Sequence, residues 1–249
     1  MTGDAFARRE RPVVLVHSSD LHIDDGFVSG RYHGLEGLRY VLQAAESLKA
    51  DAVLLAGDTF DNGRVSDTTT RRAGKMLDAA PLPVIVLPGN HDPAMPDGIF
   101  HRTGLRGAGA AMVIGHTHEE RILLGDLDLE IIGRPHRSYS DMPPLPTPSE
   151  RQARWQIVIA HGHFVPPEDW TSEAHRSWKI SEADLNTVTA DYVALGHWDR
   201  PVAVGNGNVR AYYSGAPDLA RTVNVIRLDR EEGISVERQP LQMPYPPRW

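Results

Sequence analysis

The chain has 249 residues, 41% of them hydrophobic, enough for one large domain or two small ones with a sizeable core. It contains no cysteine, which excludes disulfides, thiolate metal sites and a cysteine nucleophile. The net charge of −7 gives no support to a broad basic face of the kind that grips nucleic-acid backbones, and no apolar run reaches the roughly 18 residues of a membrane span.

Met1 to Pro12 carries Arg8, Arg9 and Arg11 with no apolar segment behind them. It reads as a flexible tail (1–12) rather than a secretory signal, so a cytoplasmic location is expected. Val13 to His17 is a short apolar run that reads as a buried strand. Leu35, Leu38, Val41, Leu42, Ala45 and Leu48 recur at helical spacing and predict a helix over Gly34 to Ala50. Ala52 to Ala56 predicts a strand, Thr68 to Ala80 a helix, and Pro83 to Leu87 a third strand. This alternation points to βαβ units and a largely parallel sheet.

From Ala111 the texture changes. Met112–Ile114, Ile122–Leu124 and Leu129–Ile132 are short apolar segments split by Gly115, Gly125 and Gly133, and read as consecutive strands of a second sheet. Pro143 to Pro148 is a proline-rich loop. Trp155–Ala160 and Tyr192–Leu195 read as buried strands, followed by short strands at Ala211–Tyr213, Val223–Leu228 and Ile234–Glu237. There is no internal repeat and no clean linker, so the expected architecture is two packed sheets with outer helices in a single domain, 13–249.

Polar residues of particular types follow five of these strands. Asp20-Leu-His22 follows the first, and Gly57-Asp58-Thr-Phe-Asp61 the second. Gly89-Asn90-His91-Asp92 follows the third, His161-Gly-His163 the strand from Trp155, and Gly196-His197-Trp-Asp199 the strand from Tyr192. Ligands of open α/β sheets collect at the carboxyl ends of strands, so these side chains are expected to converge. Carboxylate, imidazole and amide oxygen suit Mn, Fe or Zn, and the two oxygens of Asp58 suit it to bridge two ions. The glycines before Asp58, Asn90 and His197 permit tight turns and close backbone approach. His163 is read as a substrate contact. Gly115-His116-Thr117-His118 also spells Gly-His-x-His, but it precedes the lone-histidine block and is read as a decoy. His33, His101, His136 and His175 are expected at the surface.

In this order, D-x-H, G-D-x-x-D, G-N-H-D, a lone His and G-H resemble the signature of the calcineurin-like metallophosphoesterase superfamily, over about residues 13 to 217. Ala194-Leu-Gly-His197 and Tyr213-Ser-Gly-Ala-Pro217 further resemble its DNA-repair exonuclease branch, the nuclease component of SbcCD-type complexes. The resemblance implies a four-layer α/β/β/α sandwich of two mixed sheets with a dinuclear centre. Carried over by motif, one ion takes Asp20, His22, Asp58 and Asp199, and the other Asp58, Asn90, His161 and His197. His91 then faces the scissile phosphate as proton donor or charge stabiliser, Asp92 orients its ring, and Asp61 stands behind the ligands. Mn is the expected metal, with Fe or Zn as alternatives. Hydroxide held between two ions roughly 3.5–4 Å apart would attack phosphorus in line.

Two departures stand out. Asp199 occupies a position where the family carries His, which sets three carboxylates against two divalent cations. Only 32 residues follow Pro217, with no counterpart of the branch's cap region or partner-docking segment, so an SbcC-type ATPase partner is not expected. Three readings follow: a nuclease or phosphodiesterase close to the DNA-repair exonucleases, a phosphatase or diesterase acting on a nucleotide, and a non-catalytic module with the same fold.

Overall fold

The computed structural model describes residues 11–26, 34–169 and 177–244, so most of the expected tail, as well as His33 and His175, lies outside the described residues. In chain order the first half gives β1 (Val13–Ser18), α1 (Gly34–Ser47), β2 (Ala52–Ala56), α2 (Asp67–Asp78), β3 (Val84–Leu87), α3 (Ile99–Arg102) and β4 (Ala111–Val113). Then come β5 (Arg121–Leu124), β6 (Leu129–Gly133), β7 (Trp155–His161), β8 (His163–Phe164), β9 (Lys179–Ile180), α4 (Glu182–Thr187) and β10 (Tyr192–Gly196). The chain closes with β11 (Val202–Val204), β12 (Ala211–Tyr213), α5 (Pro217–Ala220), β13 (Thr222–Asp229) and β14 (Gly233–Pro240).

Two six-stranded mixed sheets pack face to face, one in the order β14-β13-β1-β2-β3-β4 and the other β11-β12-β10-β7-β6-β5. Alternation along each strand explains both layers of core. Leu15, Leu54 and Ile85 point between the sheets, where they meet Ile157, Ile159 and Tyr192. Their neighbours Val16, Val53 and Val86 point outward beneath α1 and α2, against Leu38, Val41 and Leu77. A strand buried on both faces reads as a continuous apolar run, which is what β1 to β3 show in sequence. The outer face of the second sheet is covered by α4 and its flanking loops through Val158, Val193, Leu185 and Ile180. The four layers are therefore present, with the fourth supplied by a six-residue helix and loops.

Helix ends follow local chemistry. The Ser66 hydroxyl accepts from the Thr69 amide at the start of α2, and α4 opens with a capping box between Ser181 and Asp184. Helix α1 ends at Ser47, earlier than its apolar spacing suggests, and Lys49 follows in the left-handed region at φ 51°.

One strand assignment needs correcting. The segment expected to open the second sheet, β4, instead pairs parallel with β3 (Ile85 opposite Met112) and forms the edge of the first sheet. An apolar triplet carries no signal of which sheet it joins. Its partner is set by the β3–α3–β4 crossover, and α3, only four residues long, is too short to leave a helical period in the sequence.

Candidate metal centre

The strand-end loops converge as expected. After β1 the chain hydrogen-bonds to the loop after β2, Asp20 N–H to Gly57 O at 3.1 Å and His22 N–H to Asp58 O at 3.0 Å. These two loops are thus zipped together by backbone, and the side chains of Asp20, His22 and Asp58 fall into one group with ligating atoms within 4.8 Å. A second group, Asp58, His161 and His197, shares Asp58, and a third joins His22, Asp61 and His91. Asn90 belongs with the second group: its Oδ1 lies 2.9 Å from His161 Nε2 and 3.2 Å from His197 Nδ1. Asp20, Asp58 and His161 are almost wholly buried, and His22 and Asn90 nearly so.

The backbone that holds them is bent in an unusual way. Asp20, His22, Asp58 and His197 all have positive φ (53°, 45°, 50° and 106°), half of the eight described non-glycine residues that do. Such conformations cost on the order of 1–3 kcal/mol each, persist only when surroundings enforce them, and cluster at ligand sites. Asp and His are among the non-glycine residues enriched at left-handed positions, but most of them elsewhere are not left-handed, so residue type alone does not mark these four. Glycines supply the remaining space. A Cβ on Gly89 would stand 2.2 Å from Asp58 Oδ1, and one on Gly57 would stand 2.0 Å from His161 Nδ1.

The two buried histidines are oriented from behind. His161 Nδ1–H donates to Ala56 O at 2.8 Å, and His22 Nδ1–H donates to Asp61 Oδ1 at 3.2 Å. Each bond fixes the tautomer and leaves Nε2 toward the centre, the arrangement characteristic of metal-ligating histidines. Burial alone would lower both, but the Asp58 carboxylate beside His161, and the Asp61, Asp58 and Asp20 carboxylates around His22, push each up to about 9. Burial raises Asp20 above the usual carboxylate range; it acts on Asp58 in the same sense, but His161, His22 and His91 outweigh it and hold Asp58 well below. His197 is driven down to about 3 by burial and by the adjacent His161. Two histidines thus gather the positive charge that buried carboxylates demand. That donor set, with Asp58 common to both sides, fits two divalent cations.

His91 sits at the open side. Its Nδ1–H donates to Asp61 O at 2.7 Å, and its ring meets that of His22 edge to face at 4.8 Å. The expectation that Asp92 orients this ring is not met. Asp92 is buried and accepts instead from the amides of Gly89 (2.7 Å) and Phe60 (3.0 Å), so it pins the turn that carries Asn90 and His91. Burial and the nearby Asp58 push Asp92 up to about 8. The orienting group is a main-chain carbonyl, invisible in a sequence motif.

Asp199 lies in the turn after β10, half-buried, where its carbonyl accepts from Ala216 N–H at 3.1 Å. Among the described residues its carboxylate joins none of the three ligating groups. Neither His116 nor His118 joins one. They belong to a tight turn in which Thr117 Oγ1 accepts from the Val113 amide at 2.9 Å. His163 Nδ1 accepts from the Trp198 indole N–H at 2.9 Å, and its ring lies 5.7 Å from that of His197.

His136, expected at the surface, is fully buried. Its Nε2–H donates to His161 O at 2.9 Å, its own backbone ties Ala94 N–H (2.7 Å) and Pro88 O (3.2 Å), and Trp178 packs on its ring. Burial takes it down to about 4. It stands in a loop, where a lone histidine carries no periodic signal of its burial.

A family model described as calcineurin-like phosphoesterase matches residues 13–201. The SbcD component of the SbcCD nuclease from Rhodobacter capsulatus is 25% identical over 286 residues, covering 93% of this chain and 70% of that protein. The corresponding component from Escherichia coli is 25% identical over 246 residues, covering 82% of this chain but 60% of that protein. This chain therefore spans only part of their length. The crystal structure of TT1561 from Thermus thermophilus shares the fold, with a TM-score of 0.57 at 14% identity over 91% of this chain and 99% of that one.

Proposed function

The chain belongs to the calcineurin-like phosphoesterase family, and from that premise we propose that it hydrolyses phosphodiester bonds at a two-ion centre, as a nuclease or nucleotide diesterase. The family implies divalent metal ions. The observation that carries the two-ion reading is the position of Asp58, which stands in both buried ligating groups, with Asp20 and His22 on one side and His161 and His197 on the other. Asn90 completes the second set.

Two divalent ions bound there would acidify a water to hydroxide at neutral pH and set positive charge against the phosphoryl oxygens. The chain's own residues do the rest. Asp58 spans the centre while its Oδ1 accepts from His91 N–H at 2.9 Å, which locks the ligand to the residue beside it. Asp20 receives the His197 amide on both oxygens, at 3.0 and 3.1 Å, and so ties the first loop to the last. His91 is held by Asp61 O through Nδ1–H, which leaves Nε2 as the atom that gains or gives a proton. Protonated, it donates to the departing oxygen, a role usually worth about 10²–10⁴-fold in rate.

The likeness to the SbcD component of the SbcCD nuclease favours a nucleic-acid or nucleotide diester as substrate. The net charge of −7 favours the smaller of these, because long polyanions are normally met by a basic face. Manganese is the proposed ion and Asp199 a proposed further ligand beside Asp20 and His22. The deciding experiment is metal analysis and aryl-diester hydrolysis of Asp58→Ala after chelation and return of manganese. Loss of both ions and of turnover is expected; near-normal turnover would overturn the bridging role. Single- and double-stranded DNA set against cyclic nucleotides then separates the substrates.

A further inference from the structure

Beside His91, and away from the buried ligands, opens a pocket of about 160 Å³. Its walls are Pro93 and Ile99, both buried, and half-buried Met95, with Asp97 at the rim. Tyr139 borders it and is 59% exposed, one of only three large apolar side chains left open among the described residues. Gly63 faces the Tyr139 hydroxyl, and a Cβ there would stand 3.4 Å from it, an ordinary contact.

The chemistry of the lining selects its occupant. No lysine or arginine lines the pocket among the described residues. Arg102, which reaches Gly63, is committed to Gly63 O at 2.7 Å and the Asp67 carboxylate at 2.8 Å. An anion placed here would face the exposed Asp97 carboxylate with no lysine or arginine to offset it. A flat uncharged ring would instead find an aromatic face, a thioether and a proline, the surfaces on which rings stack. Asp97 adds an acceptor for a ring amine.

We propose that this pocket receives the leaving group of the phosphoester and that Tyr139 is its specificity-determining residue, selecting an uncharged aromatic moiety such as a nucleobase. The proposal rests on the phosphodiesterase reading, since it is His91 that places the pocket on the leaving side. In the step it serves, water gives one proton to solvent and forms the new bond to phosphorus, the bond from phosphorus to the leaving oxygen breaks, and that oxygen takes a proton from His91, which regains one from solvent. The departing nucleoside is what the pocket holds.

Adenosine is the probe, with ribose as the control lacking the ring. Ligand-observed NMR titration measures binding to the metal-loaded protein, and competitive inhibition of aryl-diester hydrolysis measures it at the working site. Adenosine is expected to bind and inhibit, and ribose to do neither. Tyr139→Ala should weaken adenosine about tenfold, a typical stacking loss, whereas Tyr139→Phe should retain it and Leu123→Ala, an exposed apolar residue on β5, should change nothing. Equal adenosine affinity in Tyr139→Ala, or no adenosine binding by a hydrolytically active protein, overturns the proposal. Absence of metal-dependent hydrolysis on every phosphoester overturns the phosphodiesterase reading itself. If adenosine still bound through Tyr139 in that case, the pocket would be a ring site and the leaving-group role would be overturned with the reading.

Discussion

Gly89→Ala tests whether the metal centre depends on a close approach between two loops. Gly89 has no positive φ, so alanine there is free of backbone strain and the effect is steric alone. The new Cβ would stand 2.2 Å from Asp58 Oδ1 and 2.5 Å from Asp58 N, where ordinary contact begins near 3.4 Å. Something must therefore move by more than 1 Å. Asp58 has little room to yield, because its Oδ1 accepts from His91 N–H at 2.9 Å and its carbonyl from His22 N–H at 3.0 Å. Overpacking of this kind costs about 1–3 kcal/mol, and in a chain of this size each kcal/mol lowers Tm by about 2–4 °C. The loss of function should be larger than the loss of stability, since the displaced atom is the carboxylate common to both ligating groups. Plasma mass spectrometry of bound metal, calorimetry for Tm and aryl-diester turnover give the three readouts. A folded Gly89→Ala protein should hold less than the wild-type complement of metal and turn over at least tenfold more slowly. Gly125→Ala, where a Cβ meets nothing within 4 Å, is the control and should match wild type. Wild-type metal content and rate in Gly89→Ala would refute the close-approach argument.

His91→Ala should keep its metal while losing about 10²–10⁴-fold in kcat; metal lost from a folded variant would make His91 a ligand. For Asp199, metal titration of Asp199→Ala should show one site weakened and the other intact, and two unchanged sites would remove it from the ligand set. A pH dependence comes from His17 of β1, buried with Nδ1 2.9 Å from the hydroxyl of Tyr192 on β10 and pushed by burial from 6.5 down to about 3. Its folded value lies below its unfolded one, so its contribution is complete above pH 6.5 and drains away as pH falls toward 3. Between pH 7.5 and 5 the wild type should lose on the order of 2 kcal/mol through this group, at about 1.4 kcal/mol per pH unit per proton. His17→Gln, compared by calorimetry across that range, should show a slope shallower by that amount; parallel curves would remove His17 as the source.

The convergence at the candidate centre was legible because it is written in residue types. Asp20, His22, Asp58, Asn90, His161 and His197 are polar residues placed where apolar runs stop, and a parallel strand run buried on both faces reveals its own ends. What sequence hid is carried by backbone. The ring of His91 is steered by a carbonyl, and Asp92 by two amides, so the motif that names both residues misassigns their relationship. The four positive φ values are backbone features that residue type alone does not locate. His136 escaped because burial of a loop residue depends on what folds over it, here Trp178 and the turn at Pro88. The sheet to which β4 belongs was hidden for the same reason, since three apolar residues pair equally well with either partner until the crossover fixes them.

The position of β13 bears on how the protein comes into being. Strand β1, which delivers Asp20 and His22, lies between β2 and β13, with Val13 opposite Leu228 and His17 opposite Asn224. One neighbour follows within a few dozen residues; the other is separated from it by most of the chain. Closing so distant a pairing carries a large entropic toll before any contact rewards it, and such topologies fold slowly. During synthesis Asp20 and His22 emerge before β13 and remain on a strand with one open edge until it arrives. The strand that presents Asp20 and His22 is therefore bedded on both sides only after β13 has been made, and any metal held there would be captured after that step rather than when those residues first emerge.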